Sequence, residues 1–400
     1  MGDQGVDRRG EGRRDPAGDA ARNGAAGRGR ARAAREGDQR RRRVSGLRAA
    51  EGRGARDRAA PDGAAAPLPA DLARARLVPV DDDRLPGSGR HPQHVRRVAA
   101  TEGERRLELT DLRRDPLSGR LVAVAPNRRR RPGAAAGLIE PATDAELDEC
   151  PFCEGREDRT PPESFAVADG PRSPDTPGWR VRVVPNLYPA FERQEVVVHS
   201  PRHARSFAEL ADDELAATAI AWAARADAAR AEGFGYLHAF VNEGRAAGAS
   251  LQHSHSQLVW LRDAPPAAAG EAPGGLRDLV RRGRETELEV THRADVIAFC
   301  HPAGRLPYEM AIASKEELAP WPDGATLVVA LEVLREAVQR LQRVEGLVPW
   351  NAWLHQGRDW HIELVPRLAT LAGIELGAGI YVNTVAPEDA AAALRSAEAD

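Results

Sequence analysis
From Leu107 onward, short apolar runs alternate with turn-forming residues; before that, through about residue 100, no apolar period is sustained. Arg114-Asp-Pro-Leu-Ser-Gly-Arg120 reads as a turn between two strands, the second covering 121–125. Further strand patterns fall at 181–184, 195–199, 236–242 and 256–261. Between the second and third of these, Ser206 with Glu209 three residues on forms a capping-box signature. An alanine-rich body follows it, and Gly233 stops it, which predicts a helix.

The second half repeats this order. Strands are expected at 295–300 and 308–313, and then comes a helix with Leu327, Leu331, Leu334, Val338 and Leu341 on one face, spaced 4-3-4-3 and ended by Gly346. Two more strands follow at 350–355 and 360–366. In each half a helix ends at glycine, a strand follows, and a later strand opens with histidine: His253 and His255 first, His361 second. The period predicts a duplicated α+β unit, each copy an antiparallel sheet with packed helices. The expected organisation is a tail over 1–105, a first domain over 106–265, a linker over 266–284 and a second domain over 285–400.

Composition changes this picture mainly at the N-terminus. The net charge is −3, yet the first sixty residues hold 17 arginines against 9 acidic residues, so the rest of the chain is acidic. An acidic body is a poor nucleic-acid surface. The tail cannot bury enough apolar surface to offset its ordering entropy, and disorder is expected there. A basic arm for nucleic acid is one reading; a dispensable extension, with acids interleaved throughout, is preferred. Three cysteines are too few for a secreted disulfide framework, no apolar run reaches membrane length, and no secretory h-region is present. A soluble, cytoplasmic protein is expected.

The sharpest chemical cluster is Gln252-His253-Ser-His255-Ser-Gln257. On a strand, His253, His255 and Gln257 share one face, an odd pattern for a solvent surface and a sensible one for the floor of a site. Cys150-Pro-Phe-Cys153 suits half a zinc site or a redox pair. The sequence after it, Glu154-Gly-Arg-Glu-Asp-Arg-Thr-Pro-Pro, is not the helix a redox motif opens, so zinc is preferred. His203 and His253 are the candidate completing ligands, with His199 in reserve for His203. The loop Asn242–Ser250, with Gly244 and Gly248, has the composition to bring backbone N–H groups to phosphate oxygens. Arg128–Arg131 adds a basic run able to hold phosphate.

Taken together, these residues resemble the galactose-1-phosphate uridylyltransferase family of the histidine-triad superfamily. The resemblance covers about 107–397. It rests on Arg114-Asp-Pro-Leu-Ser-Gly with Pro126-Asn-Arg-Arg-Arg-Arg-Pro132, Cys150-Pro-Phe-Cys153, Arg182-Val-Val-Pro-Asn186, and Asn242…Gly248-Ala-Ser250…His253-Ser-His255-Ser-Gln257. It implies two histidine-triad-like domains and a nucleotidyltransferase working by a ping-pong route. His255 is then the nucleophile, and Cys150, Cys153, His203 and His253 hold a structural zinc. It implies phosphate contacts from Arg128, Arg131, Gly248, Ser250 and Gln257, and nucleotide contacts from Asn186 and Asn242. The implied partners are a nucleotide sugar and a sugar 1-phosphate, or orthophosphate, and the implied assembly is a homodimer.

Departures from the family pattern fall in the second half. Some members carry a second metal there; the matching residues His355, His361 and Glu363 give a candidate site, with a vestigial one preferred. The loop expected to grip the sugar, around Glu375, and Ser254 and Ser256 lean toward the branch containing ADP-glucose phosphorylase, where orthophosphate is the acceptor. A uridylyltransferase of galactose metabolism is the leading expectation and an adenylyl-transferring phosphorylase its alternative. A thiol-disulfide oxidoreductase using Cys150 and Cys153 is the competing class.

Overall fold
A computed structural model describes residues 111–130, 137–316 and 319–397. The expected tail over 1–105 and Arg131 lie outside the described residues. The mixed α+β class expected from the sequence is what the chain adopts. Strands β1 (Asp111–Arg114) and β2 (Leu121–Val124) form the hairpin predicted around Pro116. They join β13 (Ile380–Asn383), parallel to β2, in a three-stranded sheet.

The other ten strands form one sheet. The first half supplies β3 (Phe165–Val167), β4 (Val181–Pro185), β5 (Arg193–Val198), β6 (Tyr236–Glu243) and β7 (His255–Leu261). The second supplies β8 (Glu289–Arg293), β9 (Val296–Cys300), β10 (Met310–Ser314), β11 (Trp350–His355) and β12 (His361–Pro366). The order is β3-β4-β5-β7-β6-β11-β12-β10-β9-β8, every pairing antiparallel. The two repeats therefore meet edge to edge, β6 against β11, with Asn242 opposite Asn351 and Phe240 opposite Trp353.

Helix α1 (Asp144–Glu149) precedes the CxxC. The long helices are α2 (Asp212–Ala231) and the 22-residue Gly324–Glu345. The latter buries the predicted stripe of Leu327, Leu331, Leu334, Val338 and Leu341. The start of α2 differs from expectation. Ser206 caps only a single 3-10 turn, Phe207–Glu209, because Leu210 is extended; α2 begins at Asp212, where Glu214 accepts from the Ala211 N–H at 2.8 Å. The expected linker is also more structured than its Ala/Pro/Gly composition suggested. It folds into α3 (Pro266–Ala269) and α4 (Gly275–Glu285), and Leu276, Leu279 and Val280 of α4 are buried. In chain order, Gly324–Glu345 is α5, and α6 (Gly373–Ala378) and α7 (Pro387–Ser396) complete the set. Among the described residues no helix is long and apolar enough to cross a membrane.

Candidate active site
Strand β7 separates its side chains as the alternation requires. Trp222 of α2 donates its indole N–H to Ser256 Oγ at 2.9 Å, so Ser256 faces the helices. His255 and Gln257 lie on the opposite face. The His255 ring is buried with Phe152 edge-on at 5.3 Å, and its Nδ1 lies 2.7 Å from the His253 carbonyl oxygen. A carbonyl only accepts, so Nδ1 carries the proton and Nε2 keeps its lone pair. Burial lowers the His255 pKa from the ordinary imidazole value, only partly opposed by that carbonyl, and keeps the ring neutral.

Gln257 Oε1 accepts from Gln194 Nε2 at 2.8 Å and from Asn186 Nδ2 at 3.3 Å. Two donors on the oxygen leave the Gln257 NH2 group for another partner. Gln194 carried no signal in the sequence, since its role exists only because β5 pairs with β7. The sheet face beyond floors a cavity of about 960 Å³ lined by Gln194, Phe240, Asn242, Val259, Arg305 and Trp353. His255 sits in a narrow pocket beside it, shared with His253 and Asn242; Asn242 borders both spaces.

At the entry to β7, Cys150, Cys153, His203 and His253 bring one ligand atom each to within 4.8 Å of one another. Cys150 Sγ is 3.4 Å from His253 Nδ1, Cys153 Sγ is 3.4 Å from His203 Nδ1 and 3.7 Å from His253 Nδ1. Tetrahedral zinc with its usual bond lengths requires ligand separations of roughly 3.3–3.8 Å. Both imidazoles turn Nδ1 inward and anchor Nε2 outside, His253 on the Ser200 carbonyl at 2.9 Å and His203 on the Glu146 carboxylate at 3.1 Å. The donor set and its geometry fit zinc. His199, the reserve ligand, stays outside the group, bonded through Nδ1 to Ser254 Oγ at 3.0 Å. The geometry opposes a redox role: Cys150 follows the C-terminus of α1, the end that disfavours a thiolate. Burial and the neighbouring Cys150 also push the Cys153 thiol up to about 11.

The loop between Asn242 and Ser250, expected to bring backbone N–H groups to phosphate, closes in part on itself. The N–H groups of Ala247, Gly248 and Ala249 bond to the carbonyls of Gly244, Arg245 and Gly244. Ser250 is exposed at its end. Gly244 and Gly248 have φ of 83° and 93°, and a Cβ on Gly244 would lie 2.9 Å from Pro349. Asn242 accepts from Asn351 Nδ2 at 2.8 Å across the repeat join. Arg128 is exposed on a 3-10 turn and lines neither space. Glu375 is half-buried and caps its own helix, accepting from the Ala372 N–H at 2.8 Å; it too lies outside both spaces.

A second group joins Glu271, His355 and His361. The carboxylate is therefore Glu271 from the expected linker, and Glu363 needs correction as the ligand. Arg305 forms a hydrogen-bonded ion pair with Glu363, and Arg120 approaches it at 3.8 Å. Burial opposes the ionised form, but the Arg305 charge holds Glu363 well below the usual carboxylate range. His355 and His361 stack at 4.5 Å, and Glu271 Oε1 lies 2.8 Å from His355 Nδ1. His361 has both ring nitrogens buried without a hydrogen bond, so the donor set is open to a cation. One contact competes. Trp353 donates Nε1–H to His355 Nε2 at 2.7 Å, which holds the imidazole proton on the Nδ1 that faces Glu271.

Residues 189–266 match the family described as galactose-1-phosphate uridyl transferase, N-terminal domain. ADP-glucose phosphorylase of Arabidopsis thaliana is 26% identical over 328 residues, spanning 71% of this chain and 92% of that one. Galactose-1-phosphate uridylyltransferase of Streptomyces lividans is 27% identical over 286 residues, 65% of this chain and 73% of that one. The crystal structure of the Arabidopsis ADP-glucose phosphorylase with bound ADP-glucose superposes with a TM-score of 0.62 at 27% identity, covering 72% of this chain and 98% of that one. By sequence and by architecture the chain is similar to galactose-1-phosphate uridylyltransferases and to ADP-glucose phosphorylase.

Proposed function
We propose that the protein is a nucleotidyltransferase that moves a nucleoside monophosphate from a nucleotide sugar to a second phosphate acceptor through His255. The observation that carries this is the buried imidazole with its proton committed to the His253 carbonyl and Nε2 free. The Nε2 lone pair attacks the α-phosphorus, a P–N bond forms, and the P–O bond to the sugar 1-phosphate breaks. The leaving group departs as a stable phosphate anion, so no strong acid is needed beside it. The ring then carries positive charge, which the Nδ1–H···O=C bond stabilises. An oxygen of the incoming phosphate attacks the same phosphorus, the P–N bond breaks and the neutral imidazole returns.

Gln257, with its oxygen held by Gln194 and Asn186, turns its NH2 toward the phosphoryl oxygens. Asn242 and Ser250 bind phosphate beside it, and Asn186 also meets the nucleotide. Gly248 shapes the loop that presents Ser250, while Arg128 and Glu375, which line neither space, are not among the proposed contacts. Zinc at Cys150, Cys153, His203 and His253 would supply structural rigidity at the entry to β7. That fixes the aim of His255 two residues on. The Glu271, His355 and His361 group takes a cation only if His355 gives up its Nδ1 proton.

Two substrate pairs compete: UDP-glucose with a hexose 1-phosphate, and ADP-glucose with orthophosphate. The likeness to ADP-glucose phosphorylase, whose solved structure superposes at a TM-score of 0.62 with 27% identity, supports the second. We place the enzyme in the cytoplasm as a homodimer. Radiolabelled UDP-glucose and ADP-glucose, each with galactose 1-phosphate or orthophosphate, test the reading. One nucleotide should label the protein covalently, and His255→Ala should abolish the label. An unlabelled wild type that turns over its substrates would show a direct, single-displacement route instead.

A further inference from the structure
The two imidazoles of the Cys/His group are held from behind in different ways. His253 leans on a backbone carbonyl deep in the fold, with about 1% of its surface exposed. His203 is the more open of the two, with 11% of its side chain exposed, and both rings line a cavity of about 610 Å³ together with Cys150 and Glu146. Water there competes for its outer N–H. What meets that N–H is Glu146 Oε1, at 3.1 Å, and this carboxylate is itself built in. Arg205 grips it through Nε at 2.7 Å and Nη2 at 3.3 Å, and the same guanidinium reaches the Glu140 carbonyl at 2.8 Å. Its backbone is fixed too, because the Glu146 N–H is capped by Thr143 Oγ1 at 3.1 Å at the start of α1.

We propose that Glu146 is a positioning residue for the metal site: it holds the proton of His203 on Nε2 and so aims the bare Nδ1 at the ion between the two thiolates. A single stretch from Thr143 to Cys153 then supplies both sulfur ligands and the carboxylate that orients the imidazole. A carboxylate suits this place better than a carbonyl. Its charge strengthens the hydrogen bond and makes Nδ1 a better donor to a cation, on the more exposed of the two histidines. Arg205 balances that charge and keeps Glu146 from taking the proton outright.

This rests on the reading that Cys150, Cys153, His203 and His253 hold zinc, and the experiment separates the two. Zinc affinity is measured by chelator competition on the full chain for wild type, Glu146→Gln, Glu146→Ala and Thr143→Ala. Glu146→Ala should weaken zinc about 10–100-fold, the range seen when such partners are removed. Glu146→Gln, which can still accept from His203 without the charge, should lose less. Thr143→Ala, which removes the helix cap and leaves the carboxylate held by Arg205, should lose clearly less than Glu146→Ala. Long-range nitrogen NMR of the zinc-loaded proteins should find the His203 proton on Nε2 in wild type and exchanging in Glu146→Ala. Equal affinity in wild type and Glu146→Ala overturns the proposal, as does an equal loss in Thr143→Ala, which would make the effect one of helix stability. Should Glu146→Ala fail to fold, Glu146→Gln and the NMR signature decide alone. A wild type that binds no zinc at these residues overturns the zinc reading itself.

Discussion
His255 gains its chemistry from two cheap features, a carbonyl two residues back and the loss of water around the ring. On the proposed route only the neutral ring attacks, so the rate of forming a nucleotidyl-enzyme would follow the unprotonated fraction. Burial lowers the His255 pKa, so at pH 6.5, where an ordinary imidazole is half protonated, more than half of this ring is neutral, and the fraction reaches one half only at more acid pH. Single-turnover labelling across pH 5–8 should place the midpoint below 6.5; a midpoint at or above 6.5 would contradict the buried neutral ring. Gln257 gives a second test. Replacing it by Glu keeps an oxygen for the Gln194 and Asn186 donors, so the fold should hold, but it removes the NH2 and sets a carboxylate against phosphate. Labelling should slow by about 100-fold or more, the scale set by losing one donor at a charged transition state. A loss below about fivefold would show that the amide does not touch the phosphoryl group.

At the level of elements, the strands were legible because their apolar runs are bounded by turn residues, and the 350–355 strand has the expected limits. Local signals failed where tertiary contacts decide. Ser206 carries a good cap, yet Leu210 breaks the turn and the helix waits for Glu214. Leu276, Leu279 and Val280 have helical spacing that the Ala/Pro/Gly composition just before them masks. The Cys/His group at the entry to β7 was readable because CxxC and HxH are short and chemically narrow. Glu271 was not, being a single acid in a bland stretch that only folding carries to His355. Its neighbour Trp353 offers a test. Trp353→Phe removes the N–H that holds the His355 proton on Nδ1, freeing that atom for a cation. Competition titrations with zinc or iron(II) should show tighter uptake at this second group in the variant and unchanged affinity at the cysteines. Unchanged uptake at both would mean that the indole bond does not govern the tautomer.

At the scale of the whole chain, the two repeats share more than a sheet edge. Besides the β6–β11 pairing, a buried ionic chain runs from the first turn of the described fold into the second half. Arg120, just before β2, meets Asp115 at 3.4 Å and Glu309 at 3.2 Å. Glu309, with a fully buried side chain, also takes the Arg305 Nε at 2.9 Å and the Leu306 N–H at 3.3 Å, and Arg305 goes on to Glu363 of β12. Arg305 lies over the Trp353 ring at 5.2 Å, so this chain ends against the wall of the cavity. Removing Glu309 takes the shared acceptor from two guanidinium groups that still keep Asp115 and Glu363, so the cost is that of lost buried charge-assisted hydrogen bonds and not of an unpaired charge. Glu309→Ala should lose about 1.5–3 kcal/mol in urea unfolding, and Glu309→Gln, which keeps shape and some hydrogen bonding, should lose less. The form of the transition matters as much as its midpoint. With sheet and ionic chain both crossing the join, tryptophan fluorescence and far-UV circular dichroism should trace one transition in wild type and in Glu309→Gln. Two separated transitions in the wild type would mean that each repeat is stable by itself and that β6–β11 is a docking seam, in which case substitutions in the second half should leave His255 labelling untouched.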